Sequence, residues 1–253
     1  MGSRWNILVG VVGILFATGA AQATTTAVFS GNLDNLAARA EFVYGDGSLQ
    51  VTLTNTSQED VLEPNDVLTA VFFNVDPLVT FTRVSAMLAS GSEVFFGLTD
   101  PGGVVGGEFA FKTGLSDAPG NAVLGLSSSG FDLFGPYDLF PGTDLQEPES
   151  PDGLQYGITS AGDDKTTGNT PVTGTNALIK NSVVFQLNYT PDTPFSIYNV
   201  WFQYGTGLTE PSIPSYDVGE KPPVIPEPFT LISCFLAVSG LGVYHHRRMK
   251  GTD

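Results

Sequence analysis

Histidine and cysteine are almost missing from this sequence: Cys234, His245 and His246 are the only ones among 253 residues, and all three lie near the carboxyl end. The long stretch before them therefore has neither the imidazole nor the thiol that Ser-His-Asp, Cys-His, common zinc or haem sites require. No disulfide can staple it, so stability must come from packing. Positive charge is scarce too. Ten Lys and Arg stand against 26 Asp and Glu, a net charge of −16, and four of the ten (Arg4, Arg247, Arg248, Lys250) sit in the terminal segments. Such a field repels phosphate backbones and anionic lipid, which excludes nucleic acid as a partner. Helical periodicity is also lacking from Thr24 to about Thr209. Apolar residues are not lacking, at 42% of the chain, which excludes a disordered chain and leaves enough material for a core.

The amino terminus carries Arg4, an apolar stretch from Trp5 to about Phe16, and the small-residue exit Ala21-Gln22-Ala23. This is the layout of a signal peptide, residues 1–23, with Ala21 and Ala23 at the small-x-small site and Thr24 as the mature start. A retained anchor is the alternative. Near the other end, Pro226-Glu227-Pro228 follows a Pro-rich lead-in, and an uncharged apolar run extends from Phe229 to Tyr244. His245-His246-Arg247-Arg248 comes next. As a helix the run spans about 24 Å, short for a bilayer core of about 30 Å, a gap that snorkelling Arg and bilayer thinning can close. The basic cluster places the preceding chain outside the cytoplasm. Pro on both sides of Glu227 keeps that segment extended, in a form a protease can grip.

Pro226, Glu227 and Pro228, with Thr230-Leu231, Gly240-Leu241-Gly242, Arg247 and Arg248, resemble the PEP-CTERM sorting signal of exported bacterial proteins. His245 and His246 stand where further Arg is common, and Cys234 is an unusual guest in the run. The resemblance implies recognition by an exosortase, a membrane-embedded protease that cuts near Pro-Glu-Pro and releases or re-attaches the protein at the cell surface. It also implies a Gram-negative envelope, a membrane-anchored precursor and an exopolysaccharide habit. A plain single-pass anchor is the alternative. Stretches such as Val51–Thr56, Gly102–Ala110 and Leu126–Gly130 also occur in some members of that family. They name an address and no reaction.

Between the two ends the pattern is that of strands. Leu49, Val51 and Leu53 alternate with Gln50, Thr52 and Thr54, residues 38–44 alternate likewise, and Gly45-Asp46-Gly47 between them reads as a hairpin turn. Further strands are predicted over 67–75, 79–88, 93–97, 108–112, 123–127, 155–159, 178–189 and 195–204. Short strands separated by Gly, Pro and Asn predict an all-β domain over 24–209, an antiparallel β-sandwich of jelly-roll or Ig-like type. Residues 135–175 read as an elaborated loop system, 210–225 as a Pro-rich spacer, and 226–253 as the sorting tail with a hydrophobic helix.

The candidate chemistry is thin, and the sequence predicts no enzyme, cofactor or metal. Asp100–Gly107 is Gly-rich but lacks the Lys-Ser/Thr of a phosphate loop. Glu93, Glu108 and Asp132 are the carboxylates a glycoside hydrolase would draw on. Ser127–Ser129 with Lys112 or Lys180 would be needed for a Ser–Lys site. Asp152-Gly153 and Gly162-Asp163-Asp164 offer oxygen ligands for calcium, with ordinary turn chemistry as the alternative. Asn55-Thr56-Ser57 and Asn188-Tyr189-Thr190 match glycan acceptors. Trp201 or Tyr198 would stack on sugars if exposed, although core packing of that strand is the stronger reading. The expectation is a structural or adhesive surface protein. A carbohydrate-binding module of the exopolysaccharide matrix is the alternative, and a secreted glycoside hydrolase a more distant one.

Overall fold

The computed structural model describes residues 24–96, 103–135, 139–147, 151–167, 172, 176–190 and 194–217. Three antiparallel strands open the domain: β1 (Thr25–Leu33), β2 (Leu36–Gly45) and β3 (Ser48–Asn55). Asp46 and Gly47 between β2 and β3 both have positive φ, 51° and 77°. Asp-Gly adopts that turn readily, and the turn matches the twist of the strands it joins. Alternation then does what a period of two requires: Leu36, Ala38, Ala40 and Phe42 of β2 and Leu49, Val51 and Leu53 of β3 are buried on one face.

The remaining strands are β4 (Leu68–Asp76), β5 (Phe81–Leu88), β6 (Glu93–Phe95), β7 (Ala110–Thr113), β8 (Leu124–Ser127), β9 (Ile158–Thr159), β10 (Leu178–Lys180), β11 (Ser182–Tyr189), β12 (Ser196–Tyr204), β13 (Ser212–Pro214) and β14 (Tyr216–Asp217). One sheet has the order β14-β1-β2-β3-β11-β5, antiparallel throughout. The other runs β13-β12-β4-β9-β10-β6, with β8 and then β7 added beside β4. In it only β9 and β10 are parallel. The described residues are all-β, with antiparallel sheets, as their pattern predicts. Both sheets contribute to a single apolar core. Phe42 of the first meets Phe73 of the second at 5.2 Å between ring centroids, and Phe185 meets Phe109 at 5.0 Å.

Several expectations are refined. The run 178–189 is not one strand: Asn181, at φ 88°, breaks it, sending β10 to one sheet and β11 to the other. Asn199, at φ 53°, places a bulge inside β12. The predicted strand 108–112 begins with a 3₁₀ turn, Gly106–Glu108, and the predicted 155–159 shortens to two residues. Part of the expected loop system is packed, because its Phe140 joins Phe131, Phe134, Ala70 and Phe72 in a second apolar cluster. Residues 212–217, assigned from sequence to the spacer, form β13 and β14. They run from the second sheet onto β1 of the first, with Ile213 buried. Gly31 lies directly beneath: a Cβ there would stand 2.9 Å from Ile213 Cγ2 and 3.1 Å from the Pro214 carbonyl oxygen.

No helix among the described residues is long and apolar enough to cross a membrane. The expected signal peptide with Ala21 and Ala23, and the expected tail with Pro226, Glu227, Pro228, Arg247 and Arg248, lie outside the described residues.

Candidate functional site

Three chain segments converge on an open cleft of about 540 Å³. Residues 129–132 follow β8, residues 152–154 precede β9, and residues 206–209 follow β12. The walls are tied to one another. The Ser129 hydroxyl reaches the Thr206 carbonyl at 3.5 Å, and the Gly153 amide donates to the Ser128 carbonyl at 3.2 Å. Phe131 and Asp132 are consecutive left-handed residues, at φ 50° and 60°. Amides of Leu133 and Phe134 hold that bend by donating to the Gly130 carbonyl. On the third wall the Glu210 carboxylate accepts from the Thr206 and Gly207 amides. The Gln203 side-chain amide is fully buried and donates toward the carbonyls of Tyr204, Gly207, Glu210 and Pro211, at 2.9–3.2 Å.

No family model, curated protein or solved structure matches this chain. Of the three hydrolase carboxylates only Asp132 lines the cleft. Glu93 is exposed and pairs with Lys165 at 2.8 Å, and Glu108 is buried in its 3₁₀ turn. The Ser–Lys idea fails on geometry. Ser127 Oγ bonds the Ser129 carbonyl at 2.7 Å and accepts from the Ser129 amide, while Lys112 donates to the Leu133 carbonyl and Lys180 to that of Asp163. The three serines, buried, are structural ties.

The two proposed calcium loops separate as well. Asp152 and Gly153 belong to the cleft, whereas Asp163 and Asp164 tie turns. Asp163 accepts from the Val61 amide at 3.1 Å, and Asp164 accepts from the Thr166 amide and hydroxyl. Burial raises the Asp163 carboxyl, and the Thr167 hydroxyl lowers its neighbour Asp60. Among the described residues no three of His, Cys, Asp and Glu cluster to hold a metal ion. Trp201 is half-buried, its indole N–H donating to Asn199 Oδ1 at 3.0 Å, and Gly120 presses on its ring edge. Tyr198 is exposed, and neither lines the cleft. Asn55 is buried, with its amide donating to the Ile158 carbonyl at 3.0 Å, so it accepts no glycan; Asn188 is exposed.

One buried acid lies apart from the cleft. Asp144 sits against β7, with neither carboxylate oxygen hydrogen-bonded, while Arg83 donates to its backbone carbonyl at 2.8 Å. Burial pushes its carboxyl from 3.8 up to about 6; Arg83 opposes the shift and Glu147 adds to it. Because the folded chain binds this proton more tightly than the unfolded chain, the site costs nothing below pH 4. The penalty grows between about pH 4 and 6 and is complete above 7. Asp144→Asn is expected to gain about 1–2 kcal/mol at pH 7.5 and nothing at pH 4, part of the gain being offset because the amide also lacks partners. Thermal unfolding of both proteins at the two pH values checks this.

Proposed function

We propose that this chain is an exported cell-surface protein, structural or adhesive and not catalytic, whose carboxyl-terminal tail is recognised and cut by an exosortase. The observation that carries the reading is the order Pro226-Glu227-Pro228, then the uncharged run 229–244, then Arg247-Arg248, in a chain that opens with a signal-peptide pattern. The strand boundaries support it. β1 begins at Thr25, so a cut after Ala23 removes none of the described strands, and β14 ends at Asp217, nine residues before Pro226. Processing at both ends leaves the two sheets whole. We assign them as the layers of a β-sandwich of jelly-roll or Ig-like type. The scattered positions of Glu93, Glu108 and Asp132, and the structural use of Ser127–Ser129, support a non-catalytic role.

Intact mass of the surface-released protein tests this reading. The expected species starts at Thr24 and ends near Pro226–Pro228. Alanine at all three tripeptide positions is expected to leave the chain membrane-bound with its tail attached. Recovery of the unaltered chain from cytosol with both ends untrimmed, in a cell that has the processing enzyme, rejects it.

A further inference from the structure

We infer that the cleft between residues 129–132, 152–154 and 206–209 is a binding site for neutral saccharide. The inference deepens the surface-protein reading by naming what the domain grips. Its chemistry follows from what lines the cleft. Asp132 and Asp152 are exposed carboxylates at its edge, and no Lys or Arg is present. In a chain of net charge −16 this excludes anionic ligands. A bare metal ion is a poor match, since no group of three acidic, His or Cys residues occurs among the described residues. Moreover, the half-buried Leu154 and Leu208 give the cleft an apolar side that an ion does not use, while Phe131, itself buried in the second apolar cluster, backs the wall.

A pyranose uses both halves. Its C–H face packs on apolar side chains, and its vicinal hydroxyls donate to carboxylates, forming the stronger, charge-assisted class of hydrogen bond. Thr206 and Thr209 add hydroxyls that both donate and accept. About 540 Å³ lies within the usual range for small-ligand sites. The walls are set in advance. Ser129 bonded to Thr206, Gly153 to Ser128, and Glu210 to two amides fix all three segments before any ligand arrives, which lowers the ordering cost of binding.

Affinity electrophoresis tests the inference, using the full chain in a zwitterionic detergent without a sugar head group. The probes are neutral polysaccharides (an α-glucan, a β-glucan, a mannan and a galactomannan), with a polyuronate as anionic control and spermidine as cationic competitor. Retardation by at least one neutral polymer is expected, unchanged by a chelator or spermidine, with none by the polyuronate. Asp132→Asn keeps a residue type that tolerates the left-handed backbone, and Thr209→Trp fills the mouth from an exposed position. Each is expected to weaken retardation roughly tenfold or more at unchanged unfolding temperature, the size of one charge-assisted hydrogen bond or of a blocked entrance. No retardation by any neutral polymer overturns the inference, as does retardation that survives both substitutions. Loss on chelation would mark a cation site, and displacement by spermidine an amine site; either also overturns it. Export and tail cleavage stand or fall separately, because mass and localisation report them without any glycan.

Discussion

Phe42→Ala is expected to lower the free energy of unfolding by about 3–5 kcal/mol, the usual range for deleting a buried phenyl ring. Phe42 has no exposed surface. It stands edge-on to Phe29 at 5.8 Å within its own sheet and to Phe73 at 5.2 Å across the core. Truncation therefore removes two aromatic contacts along with the apolar burial, and it opens a void between layers that strand pairing prevents from closing. Denaturant unfolding followed by far-ultraviolet circular dichroism measures the loss. Leu78→Ala, at a position 66% exposed, is the comparison and should change stability by less than about 0.5 kcal/mol. Equal effects at the two positions would mean that the sheets do not share the core described.

The second large effect is expected at Gln203. Its two side-chain N–H bonds are shared among four backbone carbonyls, those of Tyr204, Gly207, Glu210 and Pro211, and it lies fully buried. Leucine fills nearly the same space but donates nothing, so the Tyr204 and Glu210 carbonyls lose this donor, while those of Gly207 and Pro211 keep the Glu210 and Tyr204 amides. The expected cost of Gln203→Leu is about 1–3 kcal/mol, part of the loss being offset because the Gln203 Oε1, buried without a partner, is removed as well. Hydrogen exchange distinguishes this loss from the one at Phe42. Amides 206–210 should exchange faster in Gln203→Leu well before global unfolding, whereas Phe42→Ala should accelerate the core strands as a block. Saccharide retardation by the cleft should fall with it, since residues 206–209 form one wall.

Much of the fold was legible in the sequence because alternation and turn chemistry are local signals. The β2–β3 hairpin announces itself through Leu49, Val51, Leu53 and an Asp-Gly turn, and β4, β5 and β8 fall within a residue or two of their predicted bounds. Failures arose where the deciding contact was remote. β1 contains Gly31, which looks like a break in a strand, yet the glycine is there because β13 passes so closely over it. β13 and β14 are short and rich in Pro, the composition of a spacer, and only their partners β12 and β1 make them strands. The 178–189 run reads as unbroken because Asn181 is a single polar residue whose left-handed turn shows only in three dimensions.

The site was legible only in fragments. Asp132 stood out as one possible hydrolase carboxylate and Asp152-Gly153 as one possible cation loop, and nothing in their spacing says that they face each other. Residues 206–209 carry no motif at all. Their place is set by Gln203 beneath them, which in sequence is one of three polar positions, with Ser196 and Asn199, in a largely apolar and aromatic strand.

The crossing of β13 and β14 from one sheet to the other has a mechanical consequence. A chain held by its carboxyl end and gripping a polymer in the cleft would carry tension along residues 209–217, which enter the main core through Ile213. β14, paired with β1 only through Phe29 and Ser30, would peel first. β13, anchored by Ile213 and by its registry with Trp201, Phe202 and Gln203, would then bear the load. The latch nearest the tether would act as a fuse, yielding under force while the aromatic interior stays folded and able to close again.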